Sequence, residues 1–177
     1  TYTGATTIQQ GTLSVSSLNR VVGGTASSSL GAPTTAANGR ISLGDAGATG
    51  ILLYTGAGET TDRVINLAGT TGGGTINQSG TGLLKFETDF VATGGGSKTL
   101  TLTGSTAGTG EISGAIVNNS GTNVTNVTKS GTGMWTLSGN STYTGLTRVE
   151  LGGVLRITHN NALGATGSTS NTFILGN

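Results

Sequence analysis

The chain has 177 residues, with 34 Gly, one Pro, no Cys, one His and one Trp. Eight basic and seven acidic residues leave a net charge of +1, and the bases from Arg20 to Arg156 are scattered singly, which argues against nucleic acid or an anionic membrane as partner. A chain that is 33% apolar and low in charge is not of the disordered type, Gly follows no three-residue collagen period, and no apolar run approaches the ~20 residues of a membrane-spanning helix.

Leu, Ile, Val and Thr dominate the rest and favour strands over helices, so the chain is expected to be all-β. The alternation predicts short strands, in chain order, over Arg40–Leu43, Ile51–Tyr54, Arg63–Leu67, Gly74–Asn77, Leu83–Phe86 and Thr99–Thr103. They continue over Ile112–Val117, Val124–Thr128, Met134–Leu137, Leu146–Leu151, Val154–Thr158 and Thr172–Leu175. Alternation is clearest at Lys98-Thr99-Leu100-Thr101-Leu102-Thr103, where the leucines share one face and the threonines the other. Gly-Gly and Gly-x-Gly steps between strands supply the positive φ of tight corners.

The sequence also repeats. Thr1-Tyr2-Thr3-Gly4-Ala5-Thr6-Thr7-Ile8 returns as Thr142-Tyr143-Thr144-Gly145-Leu146-Thr147-Arg148-Val149, and Gly11-Thr12-Leu13-Ser14-Val15 returns as Gly153-Val154-Leu155-Arg156-Ile157. Ile41-Ser42-Leu43-Gly44-Asp45 resembles Phe173-Ile174-Leu175-Gly176-Asn177. The chain therefore reads as one continuous segment, 1–177, made of a large repeat of roughly 141 residues (1–141) and the start of the next (142–177). A shorter echo relates Gln78–Phe86 to Lys129–Leu137. Short strands, few aromatics and a single Asn-Gly pair argue against a sandwich or barrel, which favour hairpins. A parallel β-helix or β-solenoid, with roughly 20–30 residues per coil and roughly six to eight rungs, is the expected architecture.

The stretch Lys129–Ile157 resembles the autotransporter-associated β-strand repeat. Its pattern is met by Gly131, Gly133, Trp135, Leu137, Gly139, Asn140, Tyr143, Thr144, Gly145, Thr147, Val149, Gly153 and Leu155, and a second half-copy by Tyr2, Gly4, Thr6, Ile8, Gly11 and Leu13. The resemblance implies a parallel β-helix stalk within a large secreted or surface protein of a bacterium. In that setting Trp135, Leu137, Val149, Leu155 and Ile157 would point inward. Tyr143 would sit at a corner with Gly139 and Gly145 letting the chain bend past it, and Asn140 would bond turn backbone or its equivalents in neighbouring rungs.

Chemistry is sparse. His159 is the single imidazole available to a catalytic triad, and its polar setting, Thr158–Asn161, reads as a solvated turn. The acids Asp45, Glu59, Asp62, Glu87, Asp89, Glu111 and Glu150 are too dispersed for a metal, so neither metal nor cofactor is expected. Glu87 and Asp89, two apart beside Lys85, have the spacing of a sugar-cleaving pair. They read instead as an outer face backed by Leu84, Phe86 and Phe90. Glu59-Thr60-Thr61-Asp62-Arg63 reads as a surface turn with a local ion pair of little worth. Thr99, Thr101 and Thr103 make a single threonine row, short of the array an ice-binding face needs. Five Asn-x-Ser/Thr sites, at Asn77, Asn118, Asn123, Asn126 and Asn140, are expected by chance in such a composition.

The functional expectation is a structural, non-enzymatic solenoid segment of a bacterial extracellular fibre or surface stalk. Its partners would be flanking repeats or other copies stacked head-to-tail, because the repeat is entered and left mid-copy. The alternative is an adhesin passenger that binds glycans or surfaces, and a polysaccharide-cleaving β-helix ranks third.

Overall fold

The computed structural model describes residues 2–23, 27–166 and 170–175. Thr1 of the half-copy and Gly176 and Asn177 of the later resemblance lie outside the described residues. The chain forms β1 (Thr6–Ile8), β2 (Gly11–Val15), a one-turn helix α1 (Ala36–Gly39), β3 (Ile41–Leu43), β4 (Gly50–Tyr54), β5 (Glu59–Thr61), β6 (Ile65–Leu67), β7 (Gly74–Gln78) and β8 (Leu83–Phe86). It continues through β9 (Val91–Ala92), β10 (Lys98–Gly104), β11 (Thr109–Ile112), β12 (Thr125–Lys129), β13 (Met134–Leu137), β14 (Thr147–Val149), β15 (Val154–Ile157) and β16 (Thr172–Ile174). No helix among the described residues is long and apolar enough to cross a membrane.

These strands build three sheets. One has four strands, β1-β3-β6-β9; one has seven, β2-β4-β7-β10-β12-β14-β16; one has five, β5-β8-β11-β13-β15. Every pairing is parallel. Parallel neighbours need a long crossover, and here strands of the other two sheets supply it in place of helices. The chain visits the sheets in turn and returns one strand further along, an arrangement consistent with a β-helix or solenoid. The side of the four-stranded sheet continues past β9 as irregular chain, with Phe90 N–H donating to Ala115 O at 2.8 Å, Thr142 N–H to Ile116 O at 2.9 Å and Ala165 N–H to Tyr143 O at 2.9 Å.

The core is a set of columns running along the stack. Leu13, Leu52, Ile76 and Leu102 align in the seven-stranded sheet, and Thr61, Phe86, Ile112 and Leu137 align in the five-stranded sheet. Alternation turns every second residue inward, so β4, β7, β10 and β12 bury alternate side chains. Phe86 and Phe90 meet edge to face with centroids 5.8 Å apart. At Gly74 an added Cβ would lie 2.8 Å from both Leu43 Cβ and Leu67 Cδ2, so glycine there sets the close approach of two sheets.

Two expectations change, and one feature is new. The strand predicted over Ile112–Val117 is instead Thr109–Ile112, because Ser113-Gly114 forms a corner in which Gly114 presses on Thr88 O and the Asp89 backbone. The Glu59–Arg63 cluster, read as a turn, contributes a strand, β5. A long excursion, 16–39, separates β2 from β3, and its Leu18 and Leu30 are in the core.

Candidate functional site

The repeat motif is mostly interior. On β13, Trp135 and Leu137 are buried while Met134 and Thr136 turn outward. Parallel register sets Trp135 between Gly110 and Leu155. A methyl group at Gly110 would overlap the indole, so Gly110 is its socket, and Trp135 Nε1 donates to Thr103 O at 2.9 Å. Nothing local in Thr109-Gly110-Glu111 distinguishes this glycine from a turn glycine; the signal is its place opposite Trp135 in the next coil.

Tyr143 is fully buried. Its hydroxyl shares a 2.7 Å hydrogen bond with Thr147 Oγ1, and burial raises the phenol above its ordinary pKa. Gly139 and Gly145, expected to let the chain bend, do not have positive φ. Each instead presses against the preceding coil, Gly139 on Gly114 O and Gly145 on Thr125 O, where a Cβ would collide. Gly131 does take a left-handed φ of 67°. Gly133 packs on Ser105 O, and Gly153 packs on Gly131 O and the Lys129 ammonium. Asn140 is exposed and accepts from Asn161 Nδ2 at 2.8 Å. Thr144 Oγ1 accepts from Asn118 Nδ2 at 2.8 Å, and Asn118 Oδ1 accepts from Thr144 N–H at 3.2 Å. Thr147 is buried, Val149 and Leu155 are half-buried, and Tyr2 is exposed with Gly4 under its ring.

Buried polar side chains stitch the corners. Tyr54 Oη accepts from Gly58 N–H at 3.1 Å. Gln78 accepts from Gly80 N–H at 2.9 Å and donates to Gly82 O at 2.6 Å and Thr109 O at 3.3 Å. Lys129 Nζ donates to Ser130 O at 2.5 Å and Gly131 O at 2.7 Å. At the opposite border of the seven-stranded sheet, Lys98 Nζ donates to the carbonyls of Gly94, Gly95 and Gly96 at 3.0, 3.4 and 2.8 Å. No buried side-chain nitrogen or oxygen among the described residues lacks a partner.

Both lysines are thus held by carbonyls alone. Burial pushes the Lys129 ammonium down from its ordinary 10.5 to about 8, and lowers Lys98 for the same reason. The folded state releases a proton that the unfolded chain still holds, so stability rises with pH above 8. The Lys129 shift alone corresponds to about 2 kcal/mol gained between pH 8 and 10. Burial, aided by Glu59, raises Tyr54 to about 12, so above pH 10 the unfolded chain ionises that phenol first and the trend reverses. Urea midpoints at pH 7, 8, 9 and 10 are expected to climb in the native chain and to climb less in Lys129→Met. Equal slopes in the two proteins would contradict this account.

The remaining candidate groups are used structurally. His159 is half-buried in a turn, its Nδ1 accepting from Asn161 N–H at 3.1 Å. Glu87 is ion-paired with Arg20, Asp89 Oδ1 accepts from Ala115 N–H at 2.7 Å, and Lys85 pairs with Glu111 at 3.0 Å. Glu111 also accepts from Ser138 Oγ at 2.7 Å. Hydrogen bonds from Ser138 and Lys85, with the charges of Lys85 and Arg156, outweigh burial and hold its carboxyl below the ordinary value. Thr101 aligns with Thr75 and Thr128, but Thr99 neighbours Asn126 and Thr103 neighbours Asn77, so the threonines form one column. Asn126 Oδ1 accepts from Leu146 N–H at 2.8 Å, which ties one coil to the next. No group of three or more His, Asp or Glu among the described residues is placed to hold a metal.

The cluster Glu59–Arg63 needs the largest correction, for it is not a surface turn with a local ion pair. Glu59 accepts from Leu18 N–H at 2.7 Å and Asn19 N–H at 2.5 Å. Asp62 accepts from Val21 N–H at 2.6 Å and Val22 N–H at 2.8 Å. Arg63, 1% exposed, donates to Leu18 O at 2.7 Å, Gly39 O at 3.3 Å and Ser28 Oγ at 3.0 Å. Burial lowers the Arg63 pKa, and the Asp62 and Glu59 charges oppose that shift. Sequence spacing could not show that these partners lie some 40 residues away.

Short parallel strands in stacked sheets, a columnar interior and stitched corners make an all-β arrangement consistent with a β-helix or solenoid repeat protein. The passenger-associated-transport-repeat family matches residues 1–15 and 127–157. Over 137 residues the chain is 36% identical to the adhesin BmaC autotransporter of Brucella suis biovar 1 (strain 1330), covering 76% of this chain and 4% of that protein. The chain is an autotransporter passenger-type repeat protein. It spans a small fraction of the length of the curated relative it matches. No solved structure gave a significant match.

Proposed function

We propose that this chain is a rod-building segment of an adhesin-type passenger exposed on, or released from, the bacterial surface, and that it is not an enzyme. One observation carries the reading: the parallel register of the seven-stranded sheet runs without interruption from β2 to β16. On this reading the seven strands of that sheet among the described residues stand for seven coils of one continuous solenoid. At about 4.8 Å per strand spacing, this is a rod of roughly 30 Å. The outer edges of β2 and β16 are the places where flanking repeats or another copy would stack. A non-enzymatic role is supported by Glu59, Asp62, Glu87, Asp89 and Glu111, whose carboxylates bond to distant segments of the chain. The adhesin name of the relative supports a second reading, in which an outer face of this segment contacts glycans or a host surface.

Replacing the segment, within the intact parent protein, by the same number of coils from an unrelated solenoid separates the two. A rod segment keeps both surface attachment and projection length, and its deletion shortens the projection by roughly 30 Å in electron micrographs. Attachment lost on replacement, with length preserved, would assign the segment a binding face and sink the rod reading.

A further inference from the structure

Two copies of one strand–corner–strand unit, Tyr2–Val15 and Tyr143–Ile157, stand in different surroundings. The later copy is covered by the unit before it, Val127–Leu137. Lys129 lies in register with Val149, Met134 with Val154 and Trp135 with Leu155, and Glu150 N–H donates to Lys129 O at 2.8 Å. In the early copy the corresponding places are open, because β1 and β2 are the first strands of their sheets. Ile8 and Leu13, the equivalents of Val149 and Leu155, line a cavity of about 330 Å³ with Thr7, Gln9, Gln10 and Thr12. A Cβ on Gly153 would meet Gly131 O and the Lys129 ammonium, whereas a Cβ on its equivalent, Gly11, would meet nothing within 4 Å. Tyr143 is 0% exposed and Tyr2 is 53% exposed. Gln9 N–H, the equivalent of Glu150 N–H, makes no backbone–backbone hydrogen bond among the described residues.

We infer that Tyr2–Val15 is a seat for a flanking repeat unit of the Val127–Leu137 kind, one that lays a lysine over Ile8 and an aromatic ring over Leu13. The chain carries its own pattern for this contact, since the later copy shows what lies against each of these positions. The two copies stand on different sides of the stack, and the early corner is one residue shorter. Even so, the same members of the unit face the core, with Leu13 in the column of Leu52 and Leu155 in that of Trp135. Burial of a ring against Leu13 drives the seating, and the incoming backbone pairs the open edges of β1 and β2. The far side of the stack presents β15 and β16 instead of such a unit, so a second copy docked by that side does not fill the seat. The inference rests on the rod reading and specifies what continues the rod at this edge.

An extended chain, in which a second Val127–Ser141 is joined directly ahead of Thr1, tests the seat, because Ser141 precedes Thr142 in the same way in the later copy. The control is a chain extended by the same residues in scrambled order. Gln9 N–H is expected to exchange at least about tenfold more slowly in the extended chain than in the control, the effect of one added backbone hydrogen bond. With Trp135→Phe in both chains, the added tryptophan should be shielded from acrylamide in the extended chain and quenched freely in the control. Equal exchange of Gln9 in the two chains overturns the seat, whether or not the Trp135→Phe chains fold. The rod reading is judged by segment replacement and survives that result, because a coil of another kind would then continue the stack.

Discussion

Trp135→Ala is expected to lower the unfolding free energy by about 3–5 kcal/mol, the usual cost of removing a fully buried large aromatic. The indole is 1% exposed, spans the interior between Gly110 and Leu155, and satisfies Thr103 O through Nε1. Truncation leaves a cavity and removes the hydrogen bond to Thr103 O. The companion change is more informative. Gly110→Ala drives a methyl group into the ring, and overpacking a core typically costs about 1–3 kcal/mol. In a Trp135→Ala background the same methyl enters the cavity, so the two effects should couple by about 1–3 kcal/mol in a double-mutant cycle. Denaturant midpoints of the four proteins supply the cycle. Strict additivity would mean that Gly110 is required for its backbone and not as the socket of Trp135.

Arg63→Met should cost about 3 kcal/mol or more. Met preserves much of the volume, but removing one partner of a buried charged network is expensive, and the carbonyls of Leu18 and Gly39 lose their donor. Glu59 and Asp62 keep their four backbone donors but lose the positive charge beside them. Arg63→Lys should recover only part of the loss, since one ammonium cannot reproduce a planar fork reaching three acceptors. Urea unfolding of the two variants is the measurement. A cost below about 0.5 kcal/mol for Arg63→Met, the range of ordinary surface changes, would return Arg63 to the minor role its sequence context suggests.

How far the sequence could be read depended on which interactions were local. Leu83–Phe86 and Met134–Leu137 were predicted with the bounds they have, because a short apolar run entered through a glycine, Gly82 or Gly133, is a local signal. The strand Glu59–Thr61 was hidden, since a run of charges and threonines carries no apolar alternation; its partner strand β8 and the excursion define it. Gly139 and Gly145 were visible as glycines, but the reason for them was not. Close approach to another coil leaves the same letter in the sequence as a bend does.

The repeats show the boundary most sharply. The half-copy near the start places Thr6–Ile8 in the four-stranded sheet and Gly11–Val15 in the seven-stranded one, while the later copy places Thr147–Val149 in the seven-stranded sheet and Val154–Ile157 in the five-stranded one. The shorter echo keeps its sheets, with β7 and β12 in the sheet of seven and β8 and β13 in the sheet of five. By itself, the sequence determined an all-β chain of short strands and Gly corners, because side-chain alternation and backbone permissiveness act between neighbours in the chain. The tertiary structure alone decided on which side each strand–corner–strand unit lies, which glycine seats Trp135, and that Glu59–Arg63 clasps a distant segment. Those outcomes depend on how much chain each coil consumes and on contacts between coils, and neither is written in any one stretch of residues.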